Sequence, residues 1–212
     1  MTSPKRENFS HSLELKDGRI LFFHRPLPPK TPLDLQSFIE TAYDQLEVEI
    51  GAGTGRFLAE RAQKYPQRFF IGIDKKKDRI DSTFSKLSRT GQNNWKLLRT
   101  DARNFLDLEL PPIHTLHVYH PDPWPKKRHH KHRFFRSPDA KHWTQAIVKG
   151  GEFRISTDQP DYFEEIIAIT ESWDFLELEL ALVKRSGKAQ SRFEEIFLKQ
   201  NLPVYKAYFK RK

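Results

Sequence analysis

The sequence predicts an α/β fold with a mostly parallel sheet covered by helices on both faces. Three observations predict it. Short apolar runs alternate with helix-length stretches from residue 46 onward. The first run ends in a glycine loop, Gly51-Ala52-Gly53-Thr54-Gly55. Four later runs are each followed within a few residues by an acid: Asp74, Asp101, Asp122 and Asp158. Strands that alternate with helices pair in parallel, because each crossover carries the chain back over one face. Right-handed crossovers then collect the strand C-termini at one edge, where ligands bind in such sheets. One acid after a strand commonly means a helix cap. A glycine loop and four acids on one rim point to a site.

The elements follow in order. Residues 1–40 hold five prolines and little periodicity, which reads as an N-terminal arm or cap, with a short helix near Leu33–Thr41. Residues 41–212 read as the main domain. Leu46–Ile50 is the first strand of the alternating region, and a helix with Phe57, Leu58, Ala62 and Tyr65 on one side follows the glycines. Phe69–Ile73 is a second strand, Lys75–Arg89 a helix, Trp95–Arg99 a third strand and Ile113–Val118 a fourth. Ser137–Lys149 reads as a helix ended by Gly150-Gly151, Glu152–Ser156 as a fifth strand and Asp161–Ile169 as a helix. Phe175–Val183 and Val204–Phe209 are two further strands.

Composition narrows the function. The chain has 212 residues, 37% of them hydrophobic, and a formal net charge of +9; mean hydropathy is −0.74. That charge argues for a polyanionic partner. The absence of cysteine excludes disulfides, thiolate metal sites and cysteine nucleophiles. No apolar run reaches membrane-spanning length and no apolar signal region follows Met1, so a soluble cytoplasmic protein is expected.

The fourth strand delivers the chain to Pro121-Asp122-Pro123-Trp124-Pro125 and then to Lys126-Lys127-Arg128-His129-His130-Lys131-His132-Arg133-Phe134-Phe135-Arg136. Six of those eleven residues are Lys or Arg, three are His and none is acidic. Prolines fix the turn at little entropic cost. It presents one carboxylate and one indole beside a cationic strip, a combination suited to a base edge next to a phosphate backbone. Adjacent histidines in a basic loop give poor ligand geometry, so His129, His130 and His132 are assigned to RNA and no metal is expected.

Glycines at 51, 53 and 55 let a ligand approach the backbone. A dinucleotide fingerprint would need glycine at 56, where Arg56 stands. Glu49, just upstream, would repel a pyrophosphate but suits a cationic ligand end, and Asp74 could accept both ribose hydroxyls. S-adenosylmethionine, which carries an ammonium, a sulfonium and no phosphate, meets these conditions.

The sequence resembles the bacterial-type tRNA (guanine-N7)-methyltransferases over roughly residues 46–212. The resemblance rests on Glu49–Gly55, Ile71–Asp74, Asp101-Ala102, Pro121–His129, Ser156–Asp158 and Ser191-Arg192-Phe193-Glu194; the Pro-Asp-Pro-Trp block is its most specific part. It implies a Rossmann-like class I methyltransferase fold, a three-layer sandwich with a mostly parallel seven-stranded sheet and an antiparallel last strand. It implies that Glu49, Gly51, Gly53, Gly55, Asp74, Asp101 and Asp122 bind the cofactor. Lys126, Asp158, Ser191 and Glu194 would bind substrate, and Arg128, His129, His130, Lys131, His132 and Arg133 would touch RNA. The substrate would be a guanine in the variable loop of tRNA. The chain has His120 where this family usually has Phe, Asp74 for Glu, His132 for Arg and Ser191 for Thr.

Guanine N7 carries an in-plane lone pair and no proton, so the reaction needs alignment rather than a general base. Positive charge develops on the purine, and Asp122 is the catalytic candidate for stabilising it, with Asp158 second. A non-catalytic RNA binder on the same scaffold and a methyltransferase with another substrate are the competing readings. The rim acids argue against the first and the cationic strip against the second. A monomer or homodimer with no obligate protein partner is expected.

Overall fold

The computed structural model describes residues 11–14, 20–23, 43–106 and 109–212. The elements run β1 (His11–Glu14), β2 (Ile20–Phe23), β3 (Gln45–Ile50), α1 (Arg56–Lys64), β4 (Arg68–Asp74), α2 (Lys77–Ser88), β5 (Trp95–Arg99), β6 (Ile113–Tyr119), α3 (Pro138–Gln145), β7 (Ile147–Thr157), α4 (Pro160–Glu171), β8 (Leu176–Lys184), α5 (Arg192–Lys199) and β9 (Val204–Arg211). They form one sheet in the order β1-β2-β5-β4-β3-β6-β7-β9-β8.

The seven expected strands are β3 to β9. The pairs β3·β4, β3·β6, β4·β5 and β6·β7 are parallel, while the last strand, β9, runs antiparallel to both β7 and β8. Two strands extend that sheet: the hairpin β1–β2, drawn from within the first 40 residues, adds β2 antiparallel to β5. The helix expected near Leu33–Thr41 lies outside the described residues.

Alternation along the strands sorts the core into two layers. On one face Phe70, Trp95 and Leu97 meet Leu58, Ala62, Ile80 and Leu87 of α1 and α2. On the other, Leu46, Val48, Ile71 and Leu116 join Ala140 and Trp143 of α3 and Tyr162 and Ile166 of α4. Burial on both faces explains why Phe69–Ile73 of β4 reads as a continuous apolar run. An ion pair between Arg56 and Glu195 places α5 on the α1/α2 side.

One boundary differs from expectation. The helix expected to reach Lys149 stops at Gln145, and β7 begins at Ile147. The strand register against β6 shifts between Ile113 and Thr115, so the intervening residues of β7 form a bulge. Gly150 there has φ +77°. A Cβ on Gly151 would lie 2.9 Å from both the His114 and Val148 carbonyl oxygens. The glycine pair therefore makes a bulge possible rather than ending a helix. Helix α5, unanticipated because its segment carried only a motif, is capped by the Ser191 side chain, which accepts from Glu194 N at 3.1 Å.

Candidate active site

The glycine loop is fixed from below. Gly51 N and Ala52 N both donate to Ile73 O, at 2.8 and 3.0 Å. Gly53 N donates to Asp74 Oδ2 at 3.0 Å and Lys76 N to Oδ1 at 2.9 Å. Thr83 Oγ1 donates to Gly53 O at 3.1 Å, and Lys86 Nζ donates to Thr54 O. Gly55, with φ +76°, turns the chain into α1; a Cβ there would lie 2.5 Å from Thr83 Cα, so only glycine lets α1 and α2 approach. This loop roofs a cleft of about 270 Å³ at the C-terminal edge of the parallel strands.

The cleft gathers the predicted cofactor residues. Glu49, Gly51, Gly53, Gly55, Asp74, Asp101 and Asp122 all line it. Glu49 is 3% exposed, and its Oε2 has no hydrogen-bond partner among the described residues. Burial, and then the Asp74 charge, push its carboxyl well above the usual range. Such an atom calls for a cationic ligand. Asp74 accepts one backbone N–H at each oxygen, which leaves each a further lone pair, and Arg79 Nη1 lies 3.7 Å from its Oδ2. Asp101 caps a 3-10 turn at Ala102–Asn104 and is gripped by Arg103 Nε at 3.0 Å and Nη2 at 2.6 Å. Burial raises its pKa, but Arg103 outweighs this and the net shift is downward. Asp122 is exposed, with Lys75 Nζ at 3.3 Å.

Below the cleft lies a polar network that the sequence reading missed. Glu47, 1% exposed, is held by Arg61 at 2.5 and 2.6 Å, by Arg68 Nη1 at 2.7 Å and by His117 Nε2 at 2.9 Å. Burial opposes its ionisation, but His117 and Arg61 together drive the pKa far down. Burial pushes His117 down to about 4. A neutral ring must donate from Nε2 to the carboxylate, so Nδ1 accepts from the Tyr119 hydroxyl 3.0 Å away. Tyr119 lines the cleft. The available signal was the spacing: Glu47 and Glu49, like His117 and Tyr119, alternate onto one face.

The Pro-Asp-Pro-Trp turn forms another wall through Pro121, Asp122 and Trp124. Trp124 sits against His129 and His132, with ring centroids 5.9 and 5.0 Å apart. Residues Lys127–His132 form a 3-10 helix with no buried side chain. Lys126, Lys127, Arg128 and Lys131 are exposed, and His129 and His130 half-buried.

Arg133 corrects the sequence reading. It was expected to touch RNA, but it is 2% exposed. Its Nε donates to Pro123 O at 2.8 Å, its Nη2 to Asp161 at 2.6 Å and its Nη1 to Glu165 at 2.5 Å, and its guanidinium lies 4.6 Å from the Tyr162 ring centroid. It anchors the turn to α4 and has no face left for a phosphate. Glu194, expected at the substrate, is also buried at 1%. It accepts from Lys184 Nζ at 2.7 Å and Gln190 N at 3.0 Å, with Lys206 Nζ at 2.9 Å, so it closes the loop before α5. Ser191 does line the cleft.

His120, rather than Asp158, forms the cleft wall at the end of β6. It has φ +50° and a side chain 4% exposed, with Nδ1 3.5 Å from Asp158 Oδ1. That distance is at the limit of hydrogen bonding, and neither ring nitrogen has a hydrogen-bond partner among the described residues. Phe193 and Phe197 pack beside the ring at 6.1 and 5.3 Å. Gln159 Nε2 donates to Asp158 at 2.6 Å. Burial would raise the Asp158 pKa, but His120 and Gln159 pull it below its ordinary value.

The fold and the cleft define a methyltransferase of the α/β class. Solved structures similar in fold include the 16S rRNA methyltransferase KamB, with TM-score 0.61, 15% identity and coverage of 86% of this chain and 95% of that one. Another is a precorrin-6y C5,15-methyltransferase from Geobacter metallireducens, with TM-score 0.58, 15% identity and coverage of 83% and 84%. A family model described as "Putative methyltransferase" matches residues 44–207.

The chain belongs to the tRNA (guanine-N(7)-)-methyltransferase family. It is 35% identical to the Chlorobium phaeobacteroides protein of that name, over 76% of this chain and 78% of that one. With the Bacillus subtilis protein it shares 30%, over 76% and 78%. With the Alkalilimnicola ehrlichii protein it shares 27%, over 87% and 80%. Among the described residues no helix is long and apolar enough to cross a membrane.

Proposed function

We propose that this protein methylates N7 of a guanine in the variable loop of tRNA, with S-adenosylmethionine as donor. One observation carries the reading: Glu49, whose buried Oε2 has no partner among the described residues, lines the same cleft as the Pro-Asp-Pro-Trp turn and His132 of the strip that follows it. The residues present fit the donor. Glu49 would meet its ammonium and Asp74 its ribose hydroxyls, and the Gly51–Gly55 backbone would leave room for close approach. When bound, S-adenosylmethionine supplies an electrophilic methyl group on a sulfonium.

N7 attacks with its own lone pair: the N7–carbon bond forms as the sulfur–carbon bond breaks, and no proton moves at N7. The protein's work is therefore alignment and electrostatics. Asp122 places a negative charge at the cleft mouth, where the purine becomes cationic, with Lys75 Nζ 3.3 Å from its carboxylate. Trp124 offers a face against which an unstacked base can rest. Lys126, Lys127, Arg128 and Lys131 hold the backbone.

Two measurements test the reading. Calorimetry should detect S-adenosylmethionine and not a nicotinamide dinucleotide. Incubation with methyl-labelled donor and total tRNA, then nucleoside analysis, should yield 7-methylguanosine. Binding of the dinucleotide alone, or label in a different nucleoside, would overturn it.

A further inference from the structure

A second hollow, of about 430 Å³, adjoins the cleft on the α1/α2/α5 side. Thr54, Arg56, Arg192 and Ile196 line both spaces, so the two are continuous. Lys86, Glu195 and Lys199 complete its wall. Its four cations thus face one acid, and that acid is already shared: Glu195 pairs with Arg56 and, at 2.8 Å, with Lys199. Lys86 has no carboxylate partner among the described residues. Its ammonium donates to Thr54 O and, at 3.3 Å, to Ser82 Oγ, leaving one of three donors open. Burial lowers its pKa, and the charges of Arg192 and Arg89 lower it further with no acid in opposition. Cations that repel one another in a partly desolvated hollow are stabilised when an anion enters.

Position gives the anion an identity. The strip at 126–136 lies on the opposite face, where Arg133 and Arg136 pair with Glu165 of α4. The cleft runs between that strip and the hollow. A strand whose base enters the cleft must leave it on both sides, and its backbone meets cations on each. We propose that the hollow around Lys86 and Arg192 binds a backbone phosphate of the substrate RNA next to the methylated nucleotide, clamping the strand across the sheet edge. This rests on the RNA-methyltransferase reading above.

The test measures tRNA affinity against salt for wild type, Arg192→Gln, Lys86→Gln and Lys86→Arg. Arg192→Gln should weaken tRNA binding about tenfold near 100 mM salt. It should also flatten the log–log salt dependence by roughly 0.7–0.9 for the lost phosphate contact. S-adenosylmethionine affinity should stay within about twofold. Lys86→Gln should likewise weaken tRNA binding and flatten the slope, and Lys86→Arg should restore the slope because the charge returns. Since Lys86 also braces the glycine loop, Arg192→Gln decides if Lys86→Gln loses S-adenosylmethionine as well. Wild-type affinity and slope in Arg192→Gln would overturn the phosphate site. A wild-type protein with no salt-dependent tRNA affinity would instead overturn the RNA reading itself.

Discussion

Replacing Glu49 by Gln removes one buried charge at nearly constant volume. The folded state holds this carboxyl above its ordinary pKa, so it binds more protons than the unfolded chain across that window, and stability falls as pH rises through it. At neutral pH, above the ordinary carboxylate range, this buried carboxyl costs stability until a cation meets it. Glu49→Gln should therefore raise the ligand-free melting temperature, by ~2–4 °C per kcal/mol relieved, with roughly 1–3 kcal/mol at stake. It should weaken S-adenosylmethionine tenfold or more. Calorimetry in both modes checks this; a variant that loses stability and keeps affinity contradicts it. Asp122→Asn preserves the turn and removes the charge. Single-turnover methyl transfer at saturating S-adenosylmethionine should fall by about a hundredfold, with tRNA affinity kept. Asn is an equally good turn residue, so a near wild-type rate would reduce Asp122 to a turn former and leave Asp158 as the charge that matters.

Elements transmit these positions, and Arg133 is the main tie. Removing its side chain leaves the Pro123 carbonyl without its donor and Glu165 with Arg136 alone, a change on the order of 3 kcal/mol for a broken, largely buried pair. Arg133→Ala should unfold early in denaturant. Arg128→Ala, at an exposed position, should leave stability alone and flatten the salt dependence of tRNA binding. The opposite pattern would put Arg133 on the RNA and Arg128 in the fold. The β3–β6 network should show in acid. His117 is pushed down from 6.5 to about 4, so between those values the unfolded chain takes a proton that the folded chain refuses. The stability associated with its neutral ring is present above pH 6.5 and drains away toward pH 4, by up to ~3 kcal/mol. Denaturation across that window should be shallower in pH for His117→Gln than for wild type.

At the scale of the molecule, much of the architecture was legible in the sequence. Buried parallel strands are largely apolar, so β3 to β7 announced themselves, and the ends of β3, β4, β5 and β6 named cleft residues, whereas Asp158 after β7 does not line the cleft. Glu49, Asp74, Asp101 and Asp122 do meet in one cleft. What stayed hidden depends on long-range pairing. Nothing local distinguishes Arg133 from Arg128, because the difference is made by Asp161 and Glu165 on α4. Glu194 reads like a surface acid until Lys184 and Lys206 arrive from β8 and β9. Gly150-Gly151 reads as a helix stop because a bulge is defined only by the neighbouring strand. The net charge of +9 includes exposed Lys126, Lys127, Arg128 and Lys131 after the Pro-Asp-Pro-Trp turn and Lys86, Arg192 and Lys199 around the second hollow.

The central claim is tested most directly by locating the methyl group. N7-methylation leaves a cationic imidazolium ring that borohydride reduces; the reduced base is lost, and amine-catalysed elimination then cuts the RNA at that nucleotide. After treatment of unmodified tRNA with the purified protein and S-adenosylmethionine, cleavage should appear at a single guanine in the variable loop, and should be absent with Asp122→Asn over the same time. Methylation without such cleavage, or cleavage spread over many guanines, would contradict the account.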